Sequence, residues 1–268
     1  MGLINYTFFS HVLREQVKVS LVLPTYSRWN NNGSVEEFYK EGKKYKTLYV
    51  LHGGSDDCTT YYRNTNIERY ADGNCFAVVM PEVKNSFYSN MKHGPKYFDY
   101  LSKELPKVME AVFPLSDKRE DRYVVGNSMG SHGAFKWVLN CPEFFNAAAG
   151  MSGVGDVEEM GFFEGRAVGS VANAFGSVED YRGSINDLKK LAKDLAESDI
   201  VKPRLFSCCG TEDYPYYQGT VLYKEYADEI GLPLTYESGP GGHTWEFWDH
   251  WLVKIIGWMG LTAVKEGE

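Results

Sequence analysis

The sequence predicts a doubly wound α/β domain, a mostly parallel sheet flanked by helices on both faces. Three observations carry this expectation. Continuous apolar runs at 47–51, 75–80 and 122–125 read as strands buried on both faces, the habit of parallel strands. Segments with helical periodicity separate them. A Gly-x-Ser-x-Gly pattern, Gly126-Asn127-Ser128-Met129-Gly130, sits where such a strand passes into such a helix. With 268 residues, 43% of them hydrophobic, the chain suits a single domain over 1–268, since α/β domains commonly reach about 250 residues.

The elements follow in order. Residues 6–10 read as a strand. Residues 17–23 alternate Val17, Val19 and Leu21 with Lys18 and Ser20, the period of a second strand, giving an antiparallel start. Residues 27–46 are polar around Asn30-Asn31-Asn32-Gly33 and read as a surface loop with room for one helical turn. After the strand at 47–51 come His52-Gly53-Gly54 and a helical stretch over 59–71. Residues 99–113 place Leu101, Leu105, Val108, Met109 and Val112 at helical spacing, with a kink or break expected at Pro106. The strand at 122–125 and a helix over 131–139 flank Ser128. Residues 146–151 form a further strand. Residues 156–180 carry many glycines and little periodicity, and read as an excursion over the surface. A helix over 184–197 presents Ile185, Leu188, Leu191, Ala192 and Leu195 on one side. A strand at 204–208, a helix over 217–230, a strand at 234–237 and a closing helix rich in Trp and Phe complete the chain.

Ser128 on a tight strand-to-helix turn has the context of a nucleophile elbow. Small flanking residues let the turn form, and the helix N-terminus offers free N–H groups where an oxyanion would develop. In a parallel sheet the remaining chemistry gathers at the C-terminal strand ends. Asp213 and His243 both follow a strand closely, and the order Ser128, Asp213, His243 is that of a serine hydrolase triad. His243 would act as base and Asp213 would orient it. Glu212 is the alternative acid. Among the other histidines, His132 lies one helical turn beyond Ser128, where packing or a surface place is expected. His93 is a pocket or surface residue in a loop, and His250 is a structural residue in the last helix. His52 reads as structural. The backbone N–H groups of Gly54 and Met129 are the expected oxyanion donors.

The net charge of −8 argues against nucleic-acid and anionic-membrane partners. No apolar run approaches the roughly 18 residues of a spanning helix, and no signal peptide is visible. Five cysteines without CxxC spacing suit reduced thiols in a cytoplasm. Adjacent Cys208 and Cys209 should face opposite sides of their strand. No metal pattern is present, so no metal and no cofactor are expected. A homo-oligomer stays open.

The chain resembles the esterase D-like family of α/β-hydrolases, and within it the bacterial tributyrin esterases and feruloyl esterase-type carboxylesterases. The residues that carry the likeness are 48–54, 63–70, 126–130, 209–213 and 241–248, in the family's order. The resemblance implies an α/β-hydrolase fold without a large separate cap. It also implies a triad of Ser128, His243 and Asp213, favouring Asp213 over Glu212, and an oxyanion hole from Gly54 and Met129. Ser131 stands where relatives often have a second glycine. Tyr61 stands where they often have tryptophan, so the acyl pocket is in question there. Cys58 lies later than the cysteine of S-formylglutathione hydrolases, which weakens a thioester reading.

Tyr61, Tyr62, Tyr88, Tyr214, Tyr216, Tyr217, Trp245 and Trp248 cluster near the expected site and could form an acyl slot or a stacking surface, with at least half of them expected to be core or rim residues; Tyr61 and Trp245 are the ones assigned to substrate. Short-chain acyl esters are the expected substrates. Feruloyl or acetyl esters of plant polysaccharide come second. Thioester hydrolysis, acyl transfer and a non-catalytic binding role follow.

Overall fold

Residues 1–26, 33–165 and 168–262 are described in the computed structural model. Among them, eight strands form one sheet: β1 Gly2–Ser10, β2 Glu15–Leu23, β3 Thr47–Leu51, β4 Ala77–Pro81, β5 Arg122–Asn127, β6 Ala147–Met151, β7 Arg204–Gly210 and β8 Thr235–Gly239. Their order is β1-β2-β4-β3-β5-β6-β7-β8. β1 and β2 pair antiparallel, as do β2 and β4, and every pairing from β4 through β3 to β8 is parallel. This is an α/β-hydrolase fold.

Period-two burial explains why the central strands read as unbroken apolar runs. In β3, Leu48 and Val50 join the core beneath one face, with Phe76, Trp251 and Ile255. Tyr49 and Leu51 join the core on the other face, with Phe135, Trp137 and Leu191. Both faces of each central strand are covered, so no polar alternation survives. Helix Met129–Asn140 and helix Leu188–Glu197 cover one face. Helices Ile67–Asn74 and Trp245–Met259 cover the other.

The strand order also fixes where chemistry can occur. From β3 the chain steps outward to β4, then crosses back to β5 on the other side of β3. The order reverses between β3 and β5, and ligands in open α/β sheets bind in the crevice at such a point. The loop after β3 carries Gly54, and the turn after β5 carries Ser128.

Several local expectations shift. The helical stretch 59–71 is two helices, Thr60–Asn64 and Ile67–Asn74. The break expected at Pro106 is a widened π-helical turn, Tyr100–Glu104, leading into helix Leu105–Val112. Proline has no N–H to give the carbonyl four residues back, so the regular ladder cannot pass it. The helix expected from 184 starts at Leu188, because the Asp187 side chain accepts from Lys190 N–H and caps it (3.0 Å). Ile185 is thereby left outside the helix and exposed.

The largest correction concerns residues 156–180. They are not a bare surface excursion. They contain helices Val168–Phe175 and Val178–Tyr181, and Val157, Val171, Ala174, Phe175 and Tyr181 bury one another in a small core. Buried Asp156 ties the segment together, accepting from the N–H groups of Glu158 and Glu159 and from the Tyr181 hydroxyl. Of the polar loop expected over 27–46, residues 27–32 lie outside the described residues, and Val35–Phe38 forms its helical turn. Among the described residues no helix is long and apolar enough to cross a membrane.

Candidate active site

Ser128 is the N-cap of helix Met129–Asn140, with φ 53° and ψ −120°. A non-glycine residue in that region costs on the order of 1–3 kcal/mol and persists only where its surroundings hold it. Here Ser128 N–H donates to Met151 O in β6 (2.9 Å), and Ser131 N–H donates to Ser128 O (3.0 Å). The flanking glycines permit the turn: a Cβ at Gly126 would lie 2.2 Å from Gly130 O, and one at Gly130 would lie 2.0 Å from Leu51 O. Ser131 is accommodated because it faces Gly150 of β6, which has no side chain to meet it. The Ser128 hydroxyl makes no capping bond to its own helix, so it is free for other partners.

Those partners come from the far end of the sheet. His243 Nε2 lies 2.9 Å from Ser128 Oγ. His243 Nδ1 lies 3.0 Å from both carboxylate oxygens of Asp213. Asp213 is buried beside Cys209, whose Sγ approaches Oδ2 at 3.8 Å. The loops bearing the two residues are laced together: Thr211 N–H donates to Gly239 O and Glu212 N–H to Gly241 O. This close approach fixes Asp213 and His243 relative to each other. Glu212, the alternative acid, is exposed.

The loop after β3 is pinned just as tightly. His52 Nε2 accepts from Val83 N–H (3.1 Å), which leaves Nδ1–H to donate to Gly53 O (2.7 Å). Burial lowers the pKa of His52 to about 4, consistent with a neutral, structural ring. Ser55 N–H donates to Asn85 Oδ1 (2.6 Å). Gly54 and Met129 line the pocket next to Ser128, and Met129 N–H, first in its helix, has no intrahelical acceptor.

That pocket encloses about 190 Å³ above Ser128. Phe87, Val157, Met160 and Phe162 give it an apolar wall, and Asn85, Ser55 and Ser170 a polar one. Val157, Met160, Phe162 and Ser170 belong to the segment misread as a surface excursion. Val157, Met160 and Phe162 left no motif, because any apolar side chain of suitable size serves. His132 also lines the pocket; it is buried, and burial lowers its pKa to about 3. Its expected packing role fits, since its ring meets Phe87 and Phe175.

Of the aromatic residues expected near the substrate, Tyr216 lines the pocket, whereas Tyr61 and Trp245 lie elsewhere. Tyr61 is buried in the core beneath the sheet, and neither it nor Trp245 lines the pocket. The two rings meet edge to face, 5.2 Å apart. Trp245 in turn meets Trp248, and Trp248 meets His243 at 4.8 Å. Trp248 Nε1–H donates to Ser152 Oγ (3.1 Å). On its other side His243 stacks on Tyr216, with centroids 4.3 Å apart and planes inclined by 18°. These rings hold the histidine, and the inserted segment lines the pocket instead. His93 and His250 are exposed, and the His250 ring meets Trp251 edge to face, 6.2 Å apart. Cys58 is buried beside Glu82, and Cys208 and Cys209 face opposite ways as expected. Among the described residues no cluster of His, Cys, Asp and Glu is arranged to hold a metal ion.

Comparison with known proteins places the chain among esterases. The Esterase family model matches residues 10–197. An acetyl esterase from Caldicellulosiruptor saccharolyticus is 25% identical over 98% of the chain and 100% of that protein. FphF, a fluorophosphonate-binding serine hydrolase of Staphylococcus aureus, is 32% identical with a TM-score of 0.84, covering 96% of this chain and 98% of that one. An S-formylglutathione hydrolase (FrmB) from Staphylococcus aureus, also 32% identical, superposes with a TM-score of 0.82 over 96% of this chain and 98% of that one.

Proposed function

We propose, for a chain that belongs to the Esterase family and is a carboxylic ester hydrolase of the serine type, that it cleaves short-chain acyl esters through an acyl-enzyme on Ser128. The observation that carries this reading is the relay from Ser128 Oγ to His243 Nε2 (2.9 Å) and from Nδ1 to Asp213 (3.0 Å), opening into a pocket of about 190 Å³. A carboxylate only accepts, so Nδ1 carries the proton towards Asp213 and Nε2 is left to accept the serine proton. Ser128 attacks the ester carbonyl as His243 takes its proton. The imidazolium then protonates the departing alcohol, and water repeats the sequence on the acyl-enzyme. Gly54 N–H and Met129 N–H receive the oxyanion; one such donor is typically worth about 3 kcal/mol.

The apolar wall of Phe87, Val157, Met160 and Phe162 beside Ser128 supports a small apolar acyl group. The continuous sheet supports one domain over 1–268. The test is a panel of p-nitrophenyl acetate, butyrate, octanoate and ferulate with S-formylglutathione, assayed with wild type and Ser128→Ala. Acetate or butyrate should show the highest kcat/KM, and Ser128→Ala should abolish turnover of all. A preference of more than about tenfold for ferulate or the thioester would replace the substrate class. Substantial turnover by Ser128→Ala would remove the nucleophile assignment.

A further inference from the structure

His132 follows Ser128 by one turn of helix Met129–Asn140 and shares its face. Helical side chains lean toward the N-terminus, which tips the ring back over the turn that carries Ser128. The ring lines the pocket beside Ser128 yet is only 2% exposed. Desolvation, helped by buried Lys136 one turn further on, lowers its pKa to about 3, so the ring is neutral near pH 7. A neutral imidazole has one N–H and one bare nitrogen that only accepts. Among the described residues neither nitrogen has a hydrogen-bond partner. Phe87 and Phe175 flank the ring, at 6.2 Å and 5.8 Å between centroids. A phenyl face can receive an N–H weakly, but it has no donor to offer, so the bare nitrogen stays unmatched.

A buried acceptor without a donor is costly, and folded proteins leave few of them. This one borders the space that the substrate must enter, so the substrate can bring the donor. We infer that His132 sets substrate choice by accepting a hydrogen bond from a hydroxyl on the acyl group, and that the substrates are esters of short hydroxy acids. The inference rests on the acyl-enzyme reading above and narrows it. Ser128 Oγ fixes the carbonyl carbon. His132 lies one helical turn away, about 5–6 Å between Cβ atoms, which places the hydroxyl near the third carbon of the acyl chain. The carbons themselves lie against Phe87, Val157, Met160 and Phe162. An acyl group of the same shape with a methyl in place of the hydroxyl would shut the bare nitrogen away from any donor. That unpaired group, more than the bond gained, is what separates the two substrates. His132 takes no part in proton transfer, since the serine proton goes to His243 at 2.9 Å.

The experiment measures kcat/KM for p-nitrophenyl 3-hydroxybutyrate, each enantiomer separately, and for p-nitrophenyl 3-methylbutyrate, its isostere. Each ratio is divided by the ratio of the hydroxide-catalysed rates, which removes intrinsic reactivity. Wild type, His132→Phe and Ser128→Ala are compared, with the rates of the first two expressed per site titrated by a fluorophosphonate, so that misfolded protein is not counted. Wild type should favour one enantiomer of the hydroxy ester over the isostere by about tenfold or more, the scale of one buried unpaired group. In His132→Phe, which keeps an aromatic ring and loses the acceptor, that preference should fall below about twofold. A wild-type ratio within about twofold of unity overturns the inference whether or not His132→Phe folds, and so does a preference that His132→Phe retains in full. If Ser128→Ala is inactive while the wild-type ratio is flat, only the role of His132 falls. Turnover by Ser128→Ala overturns the acyl-enzyme reading and the inference with it.

Discussion

The two walls of the pocket are built on different principles. The wall around Ser128 is made of backbone: the turn after β5, the loop after β3 and the start of helix Met129–Asn140 approach so closely that side chains must be absent. The opposite wall is made of side chains from the segment between β6 and helix Leu188–Glu197, which carries its own small core. Backbone walls tolerate few residue types, whereas side-chain walls tolerate many. On the proposed reading, the first kind fixes where bonds break and the second decides which acyl groups reach them.

Glycine substitutions on the two walls break this comparison most directly. Gly130→Ala puts a Cβ 2.0 Å from Leu51 O, which is backbone and cannot swing aside. We expect loss of detectable esterase activity and a stability loss of more than about 3 kcal/mol. Gly161→Ala, in the inserted segment, meets nothing within 4 Å and suffers only from its φ of +72°. It should cost about 1 kcal/mol and leave kcat unchanged. Equal effects in a thermal melt and a p-nitrophenyl acetate assay would erase the distinction.

Next in size is the acid. Asp213→Asn keeps the shape but offers the wrong partner to Nδ1, and kcat should fall by about 10³ to 10⁴. Glu212→Gln, at an exposed position, should stay within about twofold. The reverse ranking would transfer the acid to Glu212. On the side-chain wall, Met160→Ala should enlarge the pocket without touching the relay. The ratio of kcat/KM for p-nitrophenyl hexanoate over acetate should rise about tenfold, the scale of one or two methylenes. An unchanged ratio would mean that the acyl group lies elsewhere.

The smallest effect concerns pH and stability. His52 and His132 are buried neutral, with pKa values lowered to about 4 and about 3 by desolvation, against an ordinary 6.5. Below pH 6.5 the unfolded chain takes up protons that these folded rings refuse. Stability from this source is therefore complete above pH 6.5 and declines as pH falls, by up to about 1.4 kcal/mol per unit for each ring. His132→Phe removes one of the two. Its melting temperature should drop less steeply than that of wild type between pH 6.5 and 4.5, and parallel curves would show that His132 is not the buried neutral ring described.

Legibility in the sequence followed the same division. β3 and β5 were readable because double-sided burial leaves unbroken apolar runs. Ser128, Asp213 and His243 could be nominated because strand ends are few and each must carry a particular chemistry. Tyr61 and Trp245 were misassigned because an aromatic residue near a site in sequence can equally face the core, and only packing chooses. Ile185 fitted the helical period but lies before the Asp187 cap, a competition that local hydrogen bonding decides. The segment 156–180 looked structureless because its helices are short and its buried residues contact each other across loops.

By itself, then, the sequence determined the α/β class, the strand-to-helix turn at Ser128 and the order of its partners. Those features depend on local rules: periodicity, glycine at a crowded turn and chain order. Tertiary structure alone decided which aromatic rings hold His243 and which side chains line the pocket. Those depend on contacts between residues distant in the chain, whose free energy is spread over many interchangeable apolar side chains and leaves no pattern in any one of them.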